Sequence, residues 1–327
     1  MDIAIDVGHS TVKGLSGNGA RTLFPSLITP APAAVDLGEY GQAQTTLIDG
    51  TSYLVGEPAR SYAAPLWGRN KGADEDTIRL ILVAAARLGA VGDVQAAAGL
   101  PLSWYASQRG PLAAALTGRQ ATVILPGEAP QPIRISAVRV LPQGVAAAIA
   151  VLGHPVTESD AWLVVDVGYR TTDHVMISRA PGKAMAPDLA ASGTIEIGMS
   201  VVARTVAAQV EKVRGVPVTS SEVEMAAGLM IRGQKIDLTA YRHRAAADLA
   251  DRLARELQQR LGVRLDRIDG ILLVGGGALA LADALRTRLG VPVQVPPEPQ
   301  WGNASGFLTA LQPVPMVPPA TPSATRG

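Results

Sequence analysis

The stretch DIAIDVGHSTVK, Asp2 to Lys13, is answered far downstream by AWLVVDVGYRTTD, Ala161 to Asp173. In both, an apolar run leads into Asp-Val-Gly, two variable residues and a Thr, at Asp6 to Thr11 and again at Asp166 to Thr171. One such turn is ordinary for a β-hairpin, because Asp and Gly are usual turn residues. Two copies that agree at Asp, Val, Gly and Thr, each after a buried strand, point instead to a duplicated α/β half. The two turns then face each other across a cleft.

The chemistry of the turns fits an anionic ligand. Gly8 and Gly168 let the backbone approach without a Cβ in the way, while Ser10, Thr11, Thr171 and Thr172 supply hydroxyls. Asp6 and Asp166, at the ends of the preceding strands, are candidates to hold Mg²⁺ directly or through its water shell. Lys13 offers a point charge to a β- or γ-phosphate. Two such loops clamp a nucleoside triphosphate from both sides. His9 either faces phosphate or is simply a polar turn residue.

A third glycine cluster, ILLVGGGALA, sets Gly275, Gly276 and Gly277 between a strand and a helix, where a nucleotide can approach a helix N-terminus. Gly275, Gly277 and Ala280 also satisfy G-x-G-x-x-A, with Glu298 beyond the strand VPVQV, which reads as a permuted dinucleotide-binding domain. Against it, little but a Pro-rich tail follows Glu298, leaving no room for a second mononucleotide half. No P-loop and no G-x-S-x-G elbow occurs, and His9, His154, His174 and His243 have no metal-ligand spacing.

Composition narrows the class further. At 327 residues the chain exceeds what one core usually serves, so two domains are expected. The formal net charge is +1 without a long basic run, and aromatics make up only 4%, so direct binding to nucleic acid or to a charged membrane is not expected. No apolar run reaches the roughly 20 residues of a membrane helix, no signal peptide is recognisable and there is no cysteine, so a cytoplasmic protein is expected.

Along the chain, short strands crowd the first sixty residues: MDIAIDV, VKGLSG, RTLFPSLI, TTLIDG and TSYLVGE. A helix capped by Asp74 follows, then the strand VQAAAGLPL, a helix near Ser103 to Leu116 and the strands ATVILP and IRISAVRVLP. QGVAAAIAVLG, Gln143 to Gly153, reads as a short buried helix. After the second Asp-Val-Gly turn come VMISRA, a further strand or turn, the helix MSVVARTVAAQVEKVRG, the long helix RHRAAADLADRLARELQQRLG, the strand ILLVGGG and the helix ALADALRTRLG. The tail beyond Gln312 is Pro-rich and expected to be disordered.

The ordered set DVGHSTVK, LPQGVAAAIAVL, VVDVGYRTTD and LLVGGGA resembles the actin-like ATPases, within the larger group that includes sugar kinases and heat-shock chaperones. FPS after the first loop, IEIGMS after the second and NASGF at Asn303 to Phe307 are similar to the plasmid-segregation actins of the ParM/StbA group and their archaeal relatives. The resemblance implies a ribonuclease H-like duplicated fold of class α/β around a nucleotide cleft. Domain I spans residues 1–160 with the C-terminal helix near 302–312, and domain II residues 161–301. It implies Asp6, Gly8, His9, Ser10, Thr11 and Lys13 as phosphate loop 1, and Asp166 with Gly168, Tyr169, Arg170, Thr171 and Thr172 as phosphate loop 2. Gly275, Gly276, Gly277 and Ala278 match the adenosine loop.

Gln143 matches the family position that orients the attacking water, making Gln143, Asp6 and Asp166 the catalytic candidates; its alternative is a capping or solvated turn role. On the base side Glu222 and Glu224 are equal candidates. His9, Tyr169 and Arg170 replace smaller residues common in relatives. The implied cofactors are ATP, with GTP as the alternative, and Mg²⁺. The implied partners are further copies in head-to-tail filaments and a DNA-binding adaptor, in plasmid or DNA segregation. The competing readings are a non-polymerising scaffold and a sugar kinase, the latter needing a general-base Asp over an acceptor pocket, whereas Gln143 stands where water activation is expected.

Overall fold

The computed structural model describes residues 1–32, 44–63, 74–153, 160–179, 186–224 and 226–312. The Pro-rich tail beyond Gln312 and His154 lie outside the described residues.

The first half opens with the hairpin of β1 (Asp2–Val7) and β2 (Thr11–Ser16), in which Asp6 stands opposite Lys13. β3 (Arg21–Pro25) continues antiparallel, and β4 (Ile28–Pro30), β5 (Thr45–Ile48) and β6 (Thr51–Val55) form a further antiparallel unit. Then come α1 (Glu75–Arg87), β7 (Gly92–Leu100), α2 (Leu102–Leu116), β8 (Gln120–Ile124), β9 (Gln131–Pro142) and α3 (Val145–Leu152). The Asp74 carboxylate accepts from the Asp76 and Thr77 amides and starts α1.

The second half repeats the scheme with β10 (Asp160–Val167), β11 (Thr172–Arg179) and β12 (Ala186–Ile195). α4 (Ser200–Arg214), α5 (Ser220–Glu224), the hairpin β13 (Gly228–Ile231) and β14 (Gln234–Asp237), and α6 (Thr239–Leu261) follow. β15 (Gly270–Val274), α7 (Ala278–Leu289), β16 (Val293–Gln294) and α8 (Gly302–Leu311) complete it.

The sheet orders show the duplication. Sheet one runs β3-β2-β1-β7-β9-β8-β5-β6-β4, and sheet two runs β12-β11-β10-β15-β16. The first five strands of sheet one match sheet two pair by pair, two antiparallel contacts followed by two parallel ones. The parallel strands of each sheet end at one edge, where ligands of open α/β sheets gather.

Both faces of the central strands are covered, which is why their sequences are almost continuously apolar. Ile3, Ile5 and Val7 face the α1 cluster, while Ala4 joins Ala97 and Phe307 of α8. In sheet two, Leu163, Val165 and Val167 face the core of α4, α6 and α7, while Val164 joins Ala147 and Ala148 of α3. Thus α8 packs on sheet one, and α3, which follows β9 in the chain, packs on sheet two.

The β13–β14 hairpin and α5 have no counterpart in the sequence reading. β14 reads QKID, without an apolar run, and the hairpin turns at Arg232 and Gly233, both with positive φ, in place of the usual Asn-Gly. The open strand-or-turn segment is the ten-residue β12.

Candidate functional site

The matched hairpins place their loops at the mouth of one cleft of about 800 Å³ between the halves. Each loop closes in the same way: the Gly8 amide donates to the Thr11 carbonyl at 3.0 Å, and the Gly168 amide to the Thr171 carbonyl at 2.9 Å. Asp6, Gly8, His9, Ser10, Thr11 and Lys13 line the cleft from one side. Asp166, Gly168, Tyr169, Thr171, Gly275, Gly276 and Gly277 line it from the other, with Gln143 at the base.

The acids at its floor are buried and engaged. The Lys13 ammonium lies 3.4 Å from Asp6 Oδ2, and the Gln143 Nε2 donates to Asp6 Oδ1 at 2.7 Å. Asp166 Oδ2 accepts from Asn303 Nδ2 at 2.6 Å. Burial raises the Asp166 pKa; the Asn303 hydrogen bond opposes this, Asp6 adds to it and Lys13 works against it. Gly275, at φ +90°, is the only residue type that fits beside Asp166, since a Cβ there would meet Asp166 Oδ1 at 2.4 Å.

Three sequence candidates do not reach the cleft. Thr172 is fully buried and donates to the Ile197 carbonyl at 2.8 Å, because it begins β11 and points to the face opposite Thr171. Arg170 turns to Glu196 at 3.5 Å. Ala278 is buried in the second core as the first residue of α7. His9 packs its ring edge-on against Trp104, with 6.0 Å between centroids.

The two glutamate candidates separate. Glu222 closes a capping box with Thr219 at the start of α5: its carboxylate accepts from the Thr219 amide at 2.7 Å, and its amide donates to the Thr219 hydroxyl at 3.4 Å. Glu224 lines the cleft, where the Ser10 hydroxyl of the other half donates to it at 2.5 Å. Tyr169 also hydrogen-bonds Glu224; burial, followed by Glu224, pushes its phenol up to about 12. Glu298 of the dinucleotide pattern is instead bidentate with Arg21 at 2.6 and 2.8 Å.

Sequence reasoning did not assign a role to Asn303, Arg242 or His243, all of which line the cleft. Arg242 donates to the Val223 and Ala226 carbonyls and so ties α6 to α5. Val202, Val206, Val223, Ala246 and Leu279 give this end an apolar wall suited to a flat ring. These residues come from four helices and share no local motif.

The family model described as "Actin like proteins N terminal domain" matches residues 4–145, and "Archaeal actin homologue MreB-like, C-terminal" matches residues 164–287. The chain belongs to the actin-like protein family. This actin-like protein is 26% identical to an archaeal actin homologue of Thermoplasma volcanium and 25% to one of Thermoplasma acidophilum, each over 95% of this chain and 98% of the relative. Among solved structures, an archaeal actin homologue in complex with ADP matches with a TM-score of 0.82 at 23% identity, covering 95% of this chain and 99% of that one. A 15-stranded ParM filament from Clostridium botulinum matches at 0.80 and 22%, covering 94% and 98%. The fold is the two-domain mixed α/β fold of actins.

Proposed function

We propose that this actin-like protein binds ATP with Mg²⁺ in the cleft, hydrolyses it, and assembles head-to-tail into filaments whose stability depends on the bound nucleotide. The observation that carries the reading is the pair Asp6 and Asp166 at matched ends of two hairpins, with Gln143 anchored on Asp6 at 2.7 Å. The solved relative with ADP and the ParM filament support it.

Among the described residues no group of three or more His, Asp or Glu side chains could hold a metal ion. Two carboxylates suit Mg²⁺, which commonly binds one or two carboxylates together with phosphate oxygens and water. Asp6 and Asp166 would hold it, and the ion when bound would neutralise charge on the phosphates. The remaining amides of the two loops and the Lys13 ammonium would cradle the phosphates, and the glycines ahead of α7 would approach the nucleoside.

Gln143 is neutral and cannot act as a strong base. Its Nε2 on Asp6 leaves Oε1 to accept from a water, so its contribution is orientation of the nucleophile, which suits a loose phosphoryl-transfer transition state. The apolar end built from Val202, Val206 and Val223 accommodates a purine, adenine by kinship and guanine as the alternative. Residues 1–160 with 302–312 and residues 161–301 act as the two closing domains. The net charge of +1 and the lack of a basic run favour contact with DNA through an adaptor protein during segregation in the cytoplasm.

The test follows light scattering and phosphate release together after Mg·ATP is added, with Gln143→Ala alongside. Scattering that rises and then decays as phosphate appears, with filaments of the variant persisting, is the expected result. Nucleotide binding without scattering or turnover over a wide protein concentration range sinks the filament reading in favour of a non-polymerising scaffold.

A further inference from the structure

Gln143 stands 137 residues after Asp6, and Asn303 stands 137 residues after Asp166. Both side chains are carboxamides, both are buried and both donate to the acid of their own half, at 2.7 and 2.6 Å. Each also sits at the entry of the last helix of its half, Gln143 ahead of α3 and Asn303 in the first turn of α8. The duplication therefore extends beyond the two loops to a second pair of matched groups.

Asn303 makes one contact that Gln143 does not. Its Oδ1 accepts the Gly144 amide at 2.9 Å, so one side chain joins Asp166 of the second half to the turn that carries Gln143. A continuous chain results: Asp6 to Gln143, through the peptide to Gly144, then to Asn303 and Asp166. The helices behind it have no slack, because Gly306 of α8 lies against the Ala146 carbonyl, where a Cβ would come within 1.8 Å. Gly144 itself holds φ +77°, and the Asn303 bond satisfies an amide at the start of α3 that has no partner inside the helix.

We infer that Asn303 is a positioning residue, the counterpart of Gln143, which holds Asp166 and the Gln143–Gly144 turn in one fixed relation between the two halves. The inference rests on the ATPase reading of the cleft. Asn303 occupies one of the two oxygens of Asp166, so Oδ1 alone stays directed at the Gly275 side, and it sets where Gln143 can place a water. Its two arms are separable: the Nδ2 arm serves the acid, and the Oδ1 arm serves the turn.

The test compares the full-length wild-type chain with Asn303→Ala and Asn303→Asp. ATP affinity is measured with and without Mg²⁺, turnover is measured across a Mg²⁺ series, and amide exchange is followed at Gly144. In the Ala variant kcat falls at least tenfold, Mg²⁺-free ATP affinity stays within threefold, the Mg²⁺ needed for half-maximal turnover rises at least threefold, and Gly144 exchanges at least tenfold faster. Asn303→Asp keeps an oxygen for the Gly144 amide, so exchange stays near wild type while the Mg²⁺ requirement still shifts. If the Ala variant does not fold, the Asp variant alone decides by this same split. A wild-type chain that binds and turns over ATP, with variants that keep its kcat and Mg²⁺ requirement and lose only thermal stability, overturns this inference and leaves the ATPase reading standing. A wild-type chain that neither binds nor hydrolyses ATP sinks both.

Discussion

Gln143 and Asp6 touch through one amide hydrogen bond, at 2.7 Å, and on the proposed ATPase reading its loss separates binding from turnover. On the proposed role of Gln143 in orienting a water, with no charge carried to the phosphates, Gln143→Ala is expected to slow single-turnover hydrolysis about 100-fold while nucleotide affinity changes less than threefold. Gly275→Ala acts differently: its φ of +90° disfavours an L-residue and the added Cβ pushes on Asp166. A loss of about 2 kcal/mol in urea unfolding and weaker nucleotide binding are expected together. Affinity unchanged in that variant contradicts the placement of Asp166 in the ligand site. His174 of β11 sits outside the chemistry, buried against Gly193 of β12, and burial, with Arg260 adding to it, lowers its pKa to about 4. The folded state thus resists a proton that the unfolded chain accepts below about 6.5. The stability from this group is complete above that pH and is lost as pH falls toward 4, on the order of 3 kcal/mol. Urea midpoints from pH 7 to pH 4 should fall in the wild type and fall less in His174→Leu.

At the scale of elements, helix ends and crossings set the geometry of the cleft. α1 starts where the Asp74 carboxylate receives two amides, so Asp74→Ala should cost about 1 kcal/mol without touching nucleotide affinity. The crossing of α3 and α8 is far less forgiving. Gly306→Ala drives a methyl group into the Ala146 carbonyl, and the strain reaches Gln143 and Asn303, which flank the same two helices. A loss of roughly 3 kcal/mol in stability together with lowered turnover is expected; wild-type turnover in a destabilised protein speaks against coupling between the crossing and the site.

Across the whole molecule, the two halves exchange their last helices, with α3 on sheet two and α8 on sheet one. Each half loses the cover of one sheet face if the other unfolds, so calorimetry should record one cooperative transition where a chain of this length often gives two. Two resolved transitions would rule that out. The mouth of the cleft is bridged from Ser10 of one half to Glu224 of the other, and a ligand bound between them stabilises only the closed, folded chain. ATP at about 100 times its Kd should raise the unfolding free energy by about 2.7 kcal/mol.

The sequence by itself determined the duplication, the two loops and the fold class. Asp-Val-Gly turns after apolar strands are local patterns, and the backbone requirements of a hairpin are met within a dozen residues. Asp6, Gly8, Lys13, Asp166 and Gly168 were legible for that reason, as was α1 with its Asp74 cap. Thr172, Arg170 and Ala278 came with the resemblance, yet Thr172 begins a strand and Ala278 a helix, where neighbours point to different faces, and Arg170 in the loop turns to Glu196. Glu222 could not be told from Glu224 in sequence, because a capping box and a cleft wall draw on the same residue type. Asn303, the apolar wall and the exchange of α3 and α8 were decided only by tertiary structure. Their partners lie more than a hundred residues away or on separate helices, and only packing of the two sheets about the shared helix crossing brings them within hydrogen-bond reach.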